Sequence, residues 1–330
     1  MSADTNIDRR LCVAPMMAWT DRHCRYLLRL ASPNALLFTE MVTASALLHG
    51  DTSRLLKFHA MEHPLALQIG GSDPRALAEA TRLGSQFGFD EINLNVGCPS
   101  PRVQRGRFGA CLMLEPKLVA RCVSAMRDAT ERPVTVKCRL GVDDADSDDL
   151  LHEFVAMLRD NGCDAVYLHA RKALLNGLTP AQNREVPPLQ PQRVYQIKSA
   201  FPDLPVIFNG GVREAAAVTE HLQSVDGVMI GRAAYQSPQF VAELDSLLFG
   251  TDLTAAASED TVVQQYLSYI DRELAQGVRL HDMTRHMLGL FKGRGGARLF
   301  RRLLSDTQRI SSNDISVVHE ALAAITRRAA

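Results

Sequence analysis

Short apolar runs, bounded by glycine, proline and polar clusters, recur along this 330-residue chain and alternate with stretches of helical spacing. The runs Leu11–Ala14, Leu36–Thr39, Leu65–Ile69, Glu91–Asn95, Val134–Lys137, Ala165–His169, Val206–Asn209 and Val228–Ile230 predict eight strands. Between several of them, Pro74–Phe87, Pro116–Ala129 and Leu150–Asn161 place apolar residues three and four apart, which predicts amphipathic helices. Eight such units over roughly 225 residues fit a (β/α)8 TIM barrel in size and count. A doubly wound α/β sheet is the alternative. Its dinucleotide fingerprint Gly-x-Gly-x-x-Gly does not follow the first strand, where Pro15-Met16-Met17 stands instead. The barrel pattern ends near Phe249, and the small polar stretch 250–260 reads as a linker. From Thr261 to Ala330 the pattern is helical throughout, with apolar spacing in Val262–Leu274, Met283–Phe291 and Val317–Ile325. The expected organisation is a barrel domain over 1–249, a linker over 250–260 and a small all-helical domain over 261–330.

Composition narrows the class. A hydrophobic fraction of 46% and a charged fraction of 22% suit a packed soluble enzyme and argue against disorder. No apolar run approaches a membrane span, and Met1 to Arg10 lacks the basic-then-apolar layout of a signal peptide. The seven cysteines are odd in number and include no Cys-x-x-Cys pair. That fits neither a disulfide framework nor a zinc site, so a reduced, cytoplasmic, metal-free protein is expected. The formal net charge is zero, so any binding to nucleic acid must come from local basic patches.

The strand ends carry the candidate chemistry. Asn93-Leu94-Asn95-Val96-Gly97-Cys98-Pro99 runs from a strand into a loop, and holds Cys98 between Gly97 and Pro99 where barrel enzymes keep reactive groups. Cysteine is more often a small packed hydrophobe. The other strand ends supply Glu40, Gln68, Asn95, Lys137, His169 and Asn209, six polar groups at matching positions that loop anchoring alone does not explain. The last two strands end in Asn209-Gly210-Gly211 and Gly231-Arg232. Glycine lets backbone amides approach an anion, and barrels commonly bind phosphate there. The stretch Arg171–Arg193 after the sixth strand is too long for an ordinary connection and marks a functional loop.

Taken in order and spacing, these segments resemble the tRNA-dihydrouridine synthases. The resemblance rests on Ala14-Pro15-Met16, Thr39-Glu40, Gln68-Ile69-Gly70-Gly71, Asn93-x-Asn95-x-Gly97-Cys98-Pro99, Val136-Lys137-x-Arg139, His169-Ala170-Arg171, Asn209-Gly210-Gly211 and Gly231-Arg232. The Arg105-Gly106-x-x-Gly109-Ala110 segment that follows the cysteine makes the match specific. Lys172-Ala173-x-x-x-Gly177-Leu178, Asn183-Arg184-Glu185 and Thr284-Arg285-His286-Met287-x-Gly289-Leu290-Phe291 resemble the A subfamily, which reduces uridines 20 and 20a of the tRNA D-loop.

The resemblance implies FMN as cofactor, NADPH as reductant and tRNA as substrate. Reducing the C5–C6 bond of uracil needs a hydride at C6, which a flavin supplies, and a proton at C5. An ordinary thiol is mostly neutral at pH 7 and can give that proton, so Cys98 is the candidate acid. Cys111 is the rival, without the Gly-x-Pro setting. By resemblance, Pro15, Met16, Met17, Gln68, Lys137, His169, Asn209, Gly210, Gly211, Gly231 and Arg232 hold the flavin. The resemblance implies that Lys137 would lie near its N1–O2 edge. Asn95, Arg139, Lys172, Asn183, Arg184, Arg298 and Arg301 are assigned to the substrate base and the RNA.

The substrate base lies in folded RNA and must be extruded before reaction. The tail offers a basic stripe of Arg285, Lys292, Arg294, Arg298, Arg301, Arg302 and Arg309, with Asp306 the one acid between its ends. An ordinary solvated helix face is the plain alternative for it. Two other functions stay open on the sequence: a flavin reductase of a free pyrimidine, which has no use for the basic tail, and a catalytically idle tRNA-binding protein. The chain is expected to act as a monomer.

Overall fold

The computed structural model describes residues 7–251 and 258–325. Eight strands form the ring: β1 (Leu11–Val13), β2 (Leu36–Phe38), β3 (Leu65–Gly70), β4 (Glu91–Val96), β5 (Val134–Arg139), β6 (Ala165–His169), β7 (Val206–Asn209) and β8 (Gly227–Ile230). Each pairs in parallel with its sequence neighbours, and β1 also pairs with β8, so the sheet closes on itself as a TIM barrel. A two-residue strand, Val42–Thr43, adds to β3 outside the ring and was not expected from the pattern.

Helices form where the apolar spacing predicts them, and caps fix their ends. Pro74–Phe87 begins with proline in its first turn behind Asp73, which accepts from the Ala76 amide. It stops at Gly88, left-handed at φ 97°. Pro116–Arg127 also has proline in its first turn but no side-chain cap, and Asp148–Asp160 is capped by Ser147, which accepts from the Leu150 amide.

The barrel interior departs from the aliphatic filling expected of the fold. Cys12, Ala14, Leu36, Phe38, Ala66, Ala165, Tyr167, Ile207 and Met229 form its apolar part. Strand β4 alternates Glu91, Asn93 and Asn95 with Ile92, Leu94 and Val96, all buried. The register sets Ala66 beside Glu91, Gln68 beside Asn93, and Asn93 beside Thr135, so the polar set of β4 shares the interior face.

By its contacts the described chain divides into two compact units. One holds the residues up to Met17 and Ala35–Gly231; the other holds Ala18–Asn34 and the residues from Arg232 onward. This division differs from the sequence boundary at 249. Helix Arg22–Ala31 buries Tyr26, Leu27 and Leu30 with Val262, Tyr266, Tyr269 and Ile270 of helix Glu259–Ala275, and Tyr26 stacks on Tyr269 at 3.9 Å. Helix Pro238–Phe249 belongs to this unit as well, where Asp245 accepts from the Ser32 hydroxyl and from Asn34 Nδ2 (3.0 Å). Most of the expected linker, 252–257, lies outside the described residues.

Inside the second unit, Met283–Phe291 is not one helix. Leu280–Thr284 gives way to a 3-10 turn, Arg285–Gly289, and Phe291 adopts φ 58°. The 3-10 turn ends on Gly289, whose added Cβ would lie 2.7 Å from the Gln236 carbonyl oxygen. Only glycine allows the two backbones to come so close.

Candidate active site

The loop leaving β4 is held from below. Asn95 turns its side-chain oxygen toward the chain and accepts from the amides of Gly97 (3.2 Å) and Cys98 (3.0 Å), an Asx-type turn that lifts Cys98 off the strand. Cys98 is half-buried, whereas Cys12, Cys24, Cys122, Cys138 and Cys163 are buried. Burial pushes the Cys122 and Cys138 thiols up to about 12, which makes them inert packing groups. Cys111 is half-buried too, but its thiol donates to the Phe108 carbonyl at 3.2 Å and burial raises its pKa. The cysteine loop closes on itself through the Ala110 amide, which donates to the Cys98 carbonyl at 2.9 Å. Gly109 makes this possible. Its φ is +76°, and a Cβ there would stand 2.5 Å from the Cys98 carbonyl oxygen.

Strand β5 and the segment after β6 bring a group of cations together at the rim, beside Asn209 of β7. Lys137 donates to Asn209 Oδ1 at 2.9 Å, and Asn209 donates onward to the Met229 carbonyl at 2.7 Å. Part of the Lys137 surface is accessible, yet protein surrounds the amine. That burial, with a smaller push from Arg139, lowers its pKa to about 8. Burial, then Arg139, Lys137, Arg171 and Arg184, hold His169 well below the usual histidine range, so its imidazole is neutral at pH 7. A mouth lined this way attracts anions.

The turn after β7 is shaped for a close backbone approach. Gly210 has φ +123° and Gly211 φ +72°, and a Cβ on Gly210 would lie 2.9 Å from His169 Cδ2. At Gly231 an added Cβ would meet Ala14 Cβ and Met16 Sδ in ordinary contact, both at 3.8 Å. The ends of β8 and β1 meet at this point, where the Ala14 amide donates to the Ile230 carbonyl at 2.8 Å. Pro15 and Met16 are half-buried and Met17 is exposed. Arg232 opens helix Arg232–Gln236.

Several residues expected to face RNA are occupied within the protein. Buried Arg139 donates to three backbone carbonyls: Gly97 (3.2 Å), Asn183 (2.9 Å) and Lys172 (3.4 Å). Asn183 is fully buried and braces the long insert, accepting from the Leu174 amide and donating to the Leu174 carbonyl, both at 2.8 Å. Lys172 donates to the Asp143 carbonyl at 3.1 Å and pairs with Asp146 at 3.4 Å. Arg184 is exposed.

Three of the seven cations of the tail stripe are paired with acids outside the stripe. Arg285 pairs with Asp21, Arg294 with Asp260 at 3.0 Å, and Arg309 with Glu320 at 2.6 Å. His286 also meets Asp21, at 3.0 Å. Lys292, Arg298 and Arg302 are exposed and Arg301 half-buried, and none of these four forms an ion pair among the described residues.

Sequence reasoning missed Gln104, which joins the cysteine loop to the insert by donating to the carbonyls of Pro99 and Leu175, both at 2.8 Å. It also missed Glu91, Asn93 and Thr135. Their signal was visible as polar residues at every second position of β4, where both faces of a barrel strand are normally apolar.

The sequence profile of the family Dihydrouridine synthase (Dus) matches residues 12–327. A tRNA-dihydrouridine(20/20a) synthase of Vibrio cholerae serotype O1 is 53% identical over 317 residues, covering 96% of each chain. The protein of the same name from Escherichia coli K12 is 52% identical over 320 residues, covering 97% of this chain and 92% of that one. Among solved structures, a 2-naphthoyl-CoA reductase bound to 2-naphthoyl-CoA superposes with a TM-score of 0.56 at 12% identity, over 77% of this chain and 51% of that one. That likeness concerns the fold alone. With a profile match from residue 12 to 327 and relatives this similar over nearly their whole length, the chain belongs to the dihydrouridine synthase family.

Proposed function

We propose that this chain reduces the C5–C6 double bond of uridine to 5,6-dihydrouridine in the D-loop of tRNA, at positions 20 and 20a, using FMN and NADPH. The positions follow the names of its relatives. The observation that carries the reading is the pinned, half-buried Cys98 on the same barrel rim as Lys137, Asn209 and the Gly210–Gly211 turn.

The residues fit a flavin mononucleotide. Left-handed Gly210 and Gly211 let backbone amides reach a phosphate, Gly231 adds a residue without a side chain beside them, and Arg232 adds a charge. Lys137 and neutral His169 would hold the ring and the ribityl chain, with Pro15, Met16, Met17 and Gln68 along the rest of the cofactor. FMN, when bound, supplies the hydride that adds to C6 of uracil. The chain's own residues do the remainder. Lys137 places a positive charge where negative charge collects. Cys98 holds the proton that C5 takes, and the Asn95 turn fixes the loop that carries it. Arg184, Arg298 and Arg301 contact tRNA phosphates, which sets register without reading bases.

The enzyme works as a monomer in the cytoplasm and needs no metal. No helix among the described residues is long and apolar enough to cross a membrane. Nor do the described residues gather three His, Cys, Asp or Glu into a metal site. Incubating the protein with FMN, NADPH and unmodified tRNA, then mapping the tRNA by mass spectrometry, tests the reading. Dihydrouridine at 20 and 20a is expected. Reduction of free uracil with none in tRNA would overturn it.

A further inference from the structure

We infer that Glu91, Thr135 and Asn93, deep inside the barrel, are positioning residues that fix the orientation of Asn95 and thereby the Cys98 loop. The inference rests on the reading of Cys98 as the proton donor.

One line of hydrogen bonds runs down the inside of β3, β4 and β5. The amides of Gly97 and Cys98 donate to Asn95 Oδ1 at 3.2 and 3.0 Å. Asn95 Nδ2 donates to Gln68 Oε1 at 2.8 Å, and Gln68 Nε2 donates to Asn93 Oδ1 at 2.8 Å. Asn93 Nδ2 donates to Thr135 Oγ1 at 2.9 Å, and the Thr135 hydroxyl donates to Glu91 Oε1 at 2.6 Å. Arg9 closes the line on the other carboxylate oxygen at 2.7 Å, and the Tyr167 hydroxyl also donates to Glu91, at 2.8 Å. Glu91, Asn93 and Thr135 have no exposed surface.

Three amide side chains stand in a row here, and each has nearly the same shape when flipped. The two ends remove the ambiguity. Backbone N–H groups only donate, so Asn95 must offer its oxygen to the loop. A carboxylate paired with arginine only accepts, so the Thr135 hydroxyl must donate to Glu91. Its lone pairs then need an N–H, which turns the NH2 of Asn93 toward Thr135 and its oxygen toward Gln68. The same logic passes up through Gln68 to Asn95. Both ends demand one polarity. Reversing any single amide would set donor against donor or acceptor against acceptor in a dry interior, where such a mismatch is costly. The turn that carries Cys98 is thus tied to a carboxylate at the far end of its own strand.

The test compares Thr135→Val, which keeps the shape and deletes the hydroxyl, with Thr135→Ser, which keeps the hydroxyl. Glu91→Gln is a second break of near-equal volume, whose amide no longer dictates the polarity. Amide hydrogen exchange at Gly97 and Cys98 should quicken about tenfold in the valine and glutamine variants, as expected for one lost hydrogen bond, with β1 and β8 unchanged. Their kcat for dihydrouridine should fall by a similar factor, while tRNA KM and flavin reduction by NADPH stay at wild-type values. The serine variant should behave as wild type in every assay. Unchanged exchange at Gly97 and Cys98 in whichever breaking variant folds would overturn the inference. So would equal effects in the serine variant, faster exchange in all strands, or failure of both breaking variants to fold, since the line would then serve the barrel as a whole. If Cys98→Ala keeps full activity while the valine variant frees the loop, the positioning stands and the reading of Cys98 fails.

Discussion

Arg139 donates from Nε to the carbonyl oxygen of Gly97 at 3.2 Å, one residue before Cys98. The same guanidinium reaches the carbonyls of Asn183 and Lys172, so it ties the cysteine loop to the insert after β6. Arginine suits this task because its donors lie in a fixed planar fork.

Lysine at position 139 would keep the charge and lose the fork. Arg139→Lys should cost about 2 kcal/mol of stability, as expected for lost charge-assisted bonds to buried carbonyls. It should slow dihydrouridine formation more than it slows flavin reduction by NADPH. Chemical denaturation and the two half-reactions measured separately check this. Wild-type behaviour in both would mean that the clamp is dispensable.

Lys137 gives a pH dependence of defined sign. In the unfolded chain its amine titrates at the ordinary 10.5; in the folded protein burial lowers this to about 8. Between those values the unfolded chain keeps a proton that the folded chain has lost. Stability of flavin-free protein should therefore rise across this window through Lys137, and the burial penalty should be fully present below pH 8. Subtracting the curve of Lys137→Met isolates the contribution. A difference that is flat between pH 8 and 10.5 would contradict the assigned burial.

Much of the barrel was legible in the chain, because parallel strands and their helices impose distinct periods. All eight ring strands overlap the runs read from the sequence, and helix Pro74–Phe87 has its predicted ends because proline and glycine punctuate it. What escaped depends on residues distant in sequence. Helix Arg22–Ala31 joins the second unit through Tyr26 and Tyr269, a pairing that no local pattern announces. The basic stripe looked unopposed because Asp21, Glu259, Asp260 and Glu320 lie outside it in sequence. Arg139 and Asn183 were given to RNA by their place in motifs, yet both are buried and bond to backbone.

The phosphate turn makes a prediction for flavin binding. Gly210→Ala would force a side chain into the left-handed region and against His169. It should weaken FMN binding, as should Arg232→Ala, the latter by roughly tenfold or more for a lost charge-assisted contact. Fluorescence titration of flavin-free protein with FMN reads both. Unchanged affinity in both variants would move the phosphate elsewhere.

The ion pairs of the tail divide its arginines into two groups. Arg298 and Arg301 have no ion-pair partner among the described residues, whereas Arg309 pairs with Glu320. The double variant Arg298→Ala with Arg301→Ala should raise tRNA KM and flatten its dependence on salt, because fewer counterions are released. Arg309→Ala should change the salt slope little. The same salt-dependent KM in the double variant as in wild type would make this helix an ordinary solvated face.

The most direct test of the central claim is dihydrouridine formation by Cys98→Ala in a single turnover, with the flavin first reduced by NADPH. The fold, the bound flavin and its reduction should all survive the substitution, since Cys98 supports none of them. Dihydrouridine formation should fall by roughly 10²- to 10⁴-fold, the usual loss when a general acid is removed. A variant that makes dihydrouridine at the wild-type rate would contradict the account and pass the proton to another donor, with half-buried Cys111 the next to test.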